Sequence, residues 1–171
     1  MDENRLRWCQ DLWDRKLLEC PANETTLEGR RHMASVSAIA GNLARLRGVD
    51  EELARLAGFY HDLAAVETGI RKEHAHHGAA RTRELLGKLV TGEEPGPRFT
   101  ENEMDDLCAA IYFHTDKDRI HFPLAEVLKD ADLLDRFLDW PDYDPGKKSR
   151  ERLARLRAEL GDLQTAARRL S

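Results

Sequence analysis

Apolar residues recur every three to four positions along most of the chain, and no stretch alternates convincingly in the manner of a strand. The pattern predicts six or seven helices punctuated by Pro, Gly and acidic caps. The first covers 3–18 and stops before Cys20-Pro21, and the second covers 27–47 and ends at Gly48. Asp50 caps a third helix, whose stripe of Leu53, Leu56, Ala57 and Tyr60 runs into the dipeptide His61-Asp62. A loop through Thr68-Gly69 follows. A fourth helix is expected over 75–90, a loop over GEEPGPRFT, a fifth helix over 101–113 with His114 at its C-terminal end, and a sixth over 124–138 closed off by Trp140-Pro141. A basic seventh fills most of 147–170.

At 171 residues with 41% hydrophobic positions, the chain is sized for one compact all-α domain spanning 1–171. Its apolar runs are too short to cross a bilayer, and the opening MDENRLRWCQ lacks the apolar centre of a signal peptide, so a soluble, cytoplasmic protein without a membrane partner is expected. Cys9, Cys20 and Cys108 lie far apart without a CxxC pair, which points to reduced packing residues rather than disulfides or a thiolate zinc site.

A net charge of -5 argues against stable nucleic-acid binding, which needs surplus Lys and Arg, but is compatible with a small phosphorylated substrate. The charge is unevenly spread: from Lys147 onward eight basic residues face three acidic ones, leaving the tail at +5 and the rest at -10. Mixed Glu and Arg at helical spacing reads as a solvated helix face in preference to an anion-binding arm. Oligomeric state is open, and a homodimer is admitted.

The histidines change the picture, because several sit on the apolar stripes. His32 is four residues before Val36, in a stripe continuing through Ile39, Leu43 and Leu46. His61 is four after Ala57 and eight after Leu53, and His114 extends Leu107, Ala110 and Ile111. Three different helices thus aim imidazoles inward. Any one alone reads equally well as a hydrogen-bonded core residue. Burying several imidazoles and carboxylates together is costly, however, unless each finds a partner, and a divalent cation satisfies them all at once.

The phrases RRHMASVSAIAGNLA, LARLAGFYHDLA, HHGAARTRELL, AAIYFHT and VLKDADLLDRF, in this order, resemble the HD-domain superfamily of metal-dependent phosphohydrolases over roughly 30–138. The resemblance implies an all-α HD-type fold, with His61 and Asp62 as the catalytic centre. It also implies that His32, His61, Asp62 and Asp132 form the basic metal-binding quartet, with His77 and His114 as the extra histidines of two-metal members and the equivalent of Asp62 bridging both ions. Periodicity alone admits His74 as well as His77, and the His-Gly-Ala phrase selects His77. Asp130 and Asp132 both flank the stripe of Leu124, Val127, Leu128 and Ala131, and the Ala-Asp-hydrophobic phrase selects Asp132.

Two ions are favoured on this basis, iron or manganese first, with magnesium, cobalt and nickel admitted, because a site of nitrogen and oxygen donors without thiolates suits them better than structural zinc. Such a cation makes bound water acidic and polarises a phosphoryl oxygen, so the expected reaction is hydrolysis of a phosphate ester or anhydride of a nucleotide or related small molecule. Arg31, Lys72, Lys117, Arg119 and Arg136 are candidates to neutralise phosphate. Lys117 and Arg119, in HTDKDRIHFP, are the preferred substrate contacts, and His121 belongs to the same loop. Some family members carry an acidic residue shortly after the His-Asp pair. Here the third position after Asp62 is Ala65, and Glu67 lies two further on, so a Glu-assisted mechanism is not expected. A mixed-valence di-iron oxygenase and a non-catalytic regulatory module are the alternative functions.

Overall fold

A computed structural model describes residues 3–93, 95–139 and 146–170, and these residues form helices and connections with no strand among them. Helix α1 (Glu3–Leu18) is followed by α2 (Glu24–Arg47), α3 (Glu51–Tyr60), α4 (Leu63–Thr68), α5 (His74–Leu86), α6 (Lys88–Thr91), α7 (Glu101–Phe113), α8 (Pro123–Asp139) and α9 (Gly146–Leu170). Seven of these are ten residues or longer and correspond to the expected seven. Two short helices are additional: α4 occupies the expected loop, and Gly87 divides the expected 75–90 helix into α5 and α6. The Trp140-Pro141 stop lies outside the described residues. No described helix is long and apolar enough to cross a membrane.

The caps explain most boundaries. The Asn23 side chain accepts from the Thr26 amide, Asp50 accepts from Leu53, and Thr100 with Glu103 forms a reciprocal capping box, each satisfying amides that the first helical turn leaves free. Gly48, at φ 66°, supplies the left-handed residue that ends α2.

Helix α3 is the hub. Apart from Glu51 and Arg55 its residues are all buried, so its role is that of a core helix surrounded by others, not a surface helix with one apolar stripe. Its closest packing is against α2, where Gly58 makes the approach feasible: a Cβ there would lie 2.4 Å from Ser37 Cα. On the other side α1 docks through the Trp13 and Phe59 rings, 4.8 Å apart, and through the buried Tyr60 hydroxyl, which donates to the Cys9 carbonyl at 2.7 Å. Helices α7 and α8 close the remaining sides, with Leu107, Ile111, Val127 and Leu128 fully buried. The C-terminal end of α3, where His61 and Asp62 follow, is thereby placed among α2, α5, α7 and α8.

Candidate metal centre

Consecutive side chains on an unbroken helix diverge by about 100° and do not face one point. His61 and Asp62 do, because the helix breaks between them: His61 stays in the α conformation while Asp62 moves to φ -109° and ψ 5° before α4 begins. Gly78 of α5 fits closely against this turn, since a Cβ there would lie 2.5 Å from the His61 carbonyl oxygen. His61 and Asp62 are consequently buried.

Around this pair the fold collects His32 from α2, His74 from the start of α5, His114 from the end of α7 and Asp132 from α8. His61 Nε2 stands 3.3 Å from His32 Nε2, 3.7 Å from Asp62 Oδ2 and 3.9 Å from Asp132 Oδ1. The Asp62 carboxylate divides between two sides. Its Oδ2 faces His61 and His32, whereas its Oδ1 lies 3.4 Å from His74 Nε2 and 3.6 Å from His114 Nε2. Two overlapping groups with ligand-like spacing result, His32-His61-Asp132 and His61-Asp62-His114.

The outward nitrogens of these histidines follow one pattern. His61 Nδ1 bonds the Gly58 carbonyl at 2.9 Å, His74 Nδ1 the Arg71 carbonyl at 2.8 Å and His114 Nδ1 the Ile111 carbonyl at 2.7 Å. A carbonyl only accepts, so Nδ1 carries the proton in all three and the Nε2 lone pair is directed at the centre, the arrangement that orients imidazoles toward metals. His32 differs in being held by a carboxylate: its Nδ1 lies 2.6 Å from Asp135 Oδ2.

The electrostatics match this wiring. Burial pushes His61 down to about 3, which keeps it neutral. Burial alone would also lower His32, but hydrogen bonds to Asp132 and Asp135 outweigh it and raise His32 to about 9. Burial works against ionisation of Asp132, yet the adjacent Lys117 ammonium, the His32 hydrogen bond and the Arg136 guanidinium hold its carboxyl well below the usual range. Arg136 Nε donates to Asp132 Oδ1 at 2.9 Å, and Lys117 Nζ donates to Asp132 Oδ2 and, at 3.3 Å, to the His114 carbonyl.

The donor set fits a divalent cation. Four buried side-chain atoms lack a hydrogen-bond partner among the described residues, and two of them, Asp62 Oδ1 and His114 Nε2, point at each other within this centre. An unpaired buried carboxylate oxygen and imidazole nitrogen are each costly, and one cation between them would remove both penalties.

Five of the six ligand candidates from the sequence, His32, His61, Asp62, His114 and Asp132, are therefore brought together. His77 is not: it is exposed and lines a cavity of about 600 Å³ with Lys16, Cys20, Glu67 and Arg81, away from the cluster. His74, the first residue of α5 after Glu73 at φ 54°, instead brings its Nε2 to 3.4 Å from Asp62 Oδ1. Asp130 is drawn away by Arg152 at 2.8 Å and Arg47 at 2.7 Å.

Of the proposed phosphate contacts, Lys117 reaches the centre and Arg119 does not. The Arg119 side chain is 81% exposed, with Asp116 as its nearest carboxylate at 3.9 Å. Arg31 turns to Asp139, His121 stacks on Phe113, and Glu67 forms a two-bond ion pair with Arg81 that keeps it off the centre. Asp135 escaped the sequence reading, although its spacing three residues beyond Asp132 puts it on the same helical face.

Residues 29–137, more than half of the chain, match the HD domain family model, and the chain belongs to that family. No curated protein and no solved structure matches it. HD domains form a superfamily of metal-dependent phosphohydrolases that generally bind divalent metals, and the His and Asp groups assembled here can hold one.

Proposed function

We propose that this protein hydrolyses a phosphate ester or anhydride of a nucleotide or related small molecule, with divalent metal held by His32, His61, Asp62, His74, His114 and Asp132. The observation that supports this reading most directly is the paired orphan atoms of Asp62 and His114 in a centre that two basic side chains, Lys117 and Arg136, approach through Asp132. Two ions are favoured, since the two Asp62 oxygens face different histidine groups, and Asp62 with those histidines would hold them. Iron or manganese fits this nitrogen and oxygen donor set.

Bound metal would supply Lewis acidity toward a phosphoryl oxygen and make water a competent nucleophile near neutral pH. The remaining work belongs to the chain. His61 offers its lone pair because burial keeps it neutral, and the backbone carbonyls of Gly58, Arg71 and Ile111 fix three imidazole planes before substrate arrives. Lys117 and Arg136, both paired with Asp132, bring positive charge to the centre that would balance a phosphate, which favours this chemistry over dioxygen activation and over a purely regulatory role. In this reading the chain acts as one HD-type domain over 1–171, as a cytoplasmic enzyme.

The test is a phosphatase and phosphodiesterase screen of protein loaded separately with manganese, iron, magnesium, cobalt and nickel. Metal-dependent release of phosphate or opening of a diester is expected. Fully metallated protein that turns over no phosphorylated compound would sink the proposal, and an oxygen-dependent reaction of the iron form would replace it with the oxygenase alternative.

A further inference from the structure

The loop that carries Lys117 to the centre is fastened from behind by buried charges. Lys129 of α8 is fully buried and its ammonium donates to the Arg119 carbonyl at 3.0 Å and to Glu126 Oε1 at 2.8 Å, with His121 Nδ1 at 2.6 Å. The same Glu126 oxygen accepts from the His121 amide at 3.0 Å. Arg152 of α9, 5% exposed, donates to Glu126 Oε2 and Asp130 Oδ1 at 2.8 Å each and reaches the Lys117 carbonyl at 3.4 Å. Backbone groups of Lys117, Arg119 and His121 are thus all held by one cluster of Glu126, Lys129 and Arg152.

Helix α9 also docks through contacts outside that cluster. Leu153 and Leu156 are buried, and Arg47 grips Glu159 through two bonds of 2.9 and 2.7 Å. Replacing buried ion pairs by apolar groups is often neutral for stability, so what such a network contributes beyond docking is a defined position. The position defined is that of the Lys117 backbone, from which the side chain extends to Asp132.

We propose that Arg152, acting through Glu126 and Lys129, is a positioning residue for Lys117. Helix α9, beyond the 29–137 segment matched by the family, then belongs to the phosphate-binding machinery and is more than a solvated basic face. This inference rests on the reading of Lys117 as a phosphate contact.

A double-mutant cycle on the full chain separates the two. The probe is inorganic phosphate, titrated calorimetrically into protein saturated with manganese, with manganese affinity and thermal midpoint measured alongside. Lys117→Met is expected to weaken phosphate binding about tenfold, the scale of one lost charge-assisted hydrogen bond. Arg152→Gln is expected to weaken it about fivefold when Lys117 is present and less than about twofold in the Lys117→Met background, because coupled residues act non-additively. Glu159→Gln, which removes one charge from the Arg47 contact two turns beyond Arg152 and leaves the bonds of Arg152 to Glu126 and the loop in place, should leave phosphate affinity unchanged while lowering the thermal midpoint.

Equal loss on Arg152→Gln in both backgrounds, or equal loss on Glu159→Gln, overturns the positioning role and leaves a structural one. Full phosphate affinity in Lys117→Met overturns the phosphate reading and this inference with it. Lys117→Met that weakens binding beside an Arg152→Gln protein of unchanged affinity overturns the inference alone. Should Arg152→Gln fail to fold, Glu126→Gln enters the same cycle with the same expected outcomes.

Discussion

Asp135 holds His32 from the side opposite the metal centre: its Oδ2 lies 2.6 Å from Nδ1 of the imidazole whose Nε2 stands 3.2 Å from Asp132. A carboxylate behind a histidine fixes the ring plane and makes the inner nitrogen a better donor to a cation. Asp135→Ala is expected to lower divalent-metal affinity by about 10- to 100-fold, the usual effect of removing such a partner. Competition titration against a chelating indicator measures it, with circular dichroism to show an intact fold. Undiminished affinity would make the pair a packing interaction only.

His74 and His77 give opposite expectations, although three residues apart on one helix. His74→Ala should reduce the metal content of purified protein, because its Nε2 faces the Asp62 oxygen that no hydrogen bond satisfies. His77→Ala should leave metal content unchanged. Elemental analysis of the two variants against the parent decides the matter, and a loss confined to His77→Ala would reverse the assignment.

The glycine at 58 works where α2 and α3 cross. Alanine would gain about 1 kcal/mol in helix propensity, but its Cβ would fall 2.4 Å from Ser37 Cα and 2.5 Å from Ser37 N, backbone atoms that move only with the whole helix. Overpacking of this kind costs up to about 3 kcal/mol, so Gly58→Ala should be net destabilising by about 2 kcal/mol. At this chain length that corresponds to a fall of roughly 4–8 °C in the thermal midpoint, readable by calorimetry. A rise in midpoint would show that the helices do not approach so closely.

Cys9 offers a pH test of the core. Burial raises its thiol to about 12, so at pH 8 it stays protonated and inert, and its thiolate would form only as pH climbs toward that value. Iodoacetamide at pH 8 should therefore modify native protein at no more than Cys20 and Cys108, with Cys9 labelled only after denaturation. Mass spectrometry of digested protein locates the labels. Labelling of native Cys9 at the rate of the other two would contradict its place beneath Tyr60.

Much of the fold was legible because its causes are local. The period of apolar residues marks helices, Asp50 announces a start and Gly48 a stop, all within a few residues of the effect, whereas the Asn23 cap that starts α2 at Glu24, ahead of the expected 27, went unread. The same period placed His32, His61 and His114 on inward faces, and their convergence at one centre follows from the packing of those faces. The short α4 went unread because it begins directly at Asp62 without a side-chain cap.

Sequence by itself thus determined an all-helical chain with an HD-type set of inward imidazoles and carboxylates around His61-Asp62. The choice among neighbours on one helical face was decided only in three dimensions. His74 faces Asp62 while His77, three residues on, is exposed. Asp132 is left for the centre because Arg47 and Arg152, from two other helices, claim Asp130. Lys117 reaches Asp132 while Arg119 is exposed, in a loop whose carbonyls accept from Lys129 and Arg152. Periodicity fixes a direction around a helix axis, but residues three or four apart share that direction. Which of them meets a partner depends on where the rest of the chain has been folded.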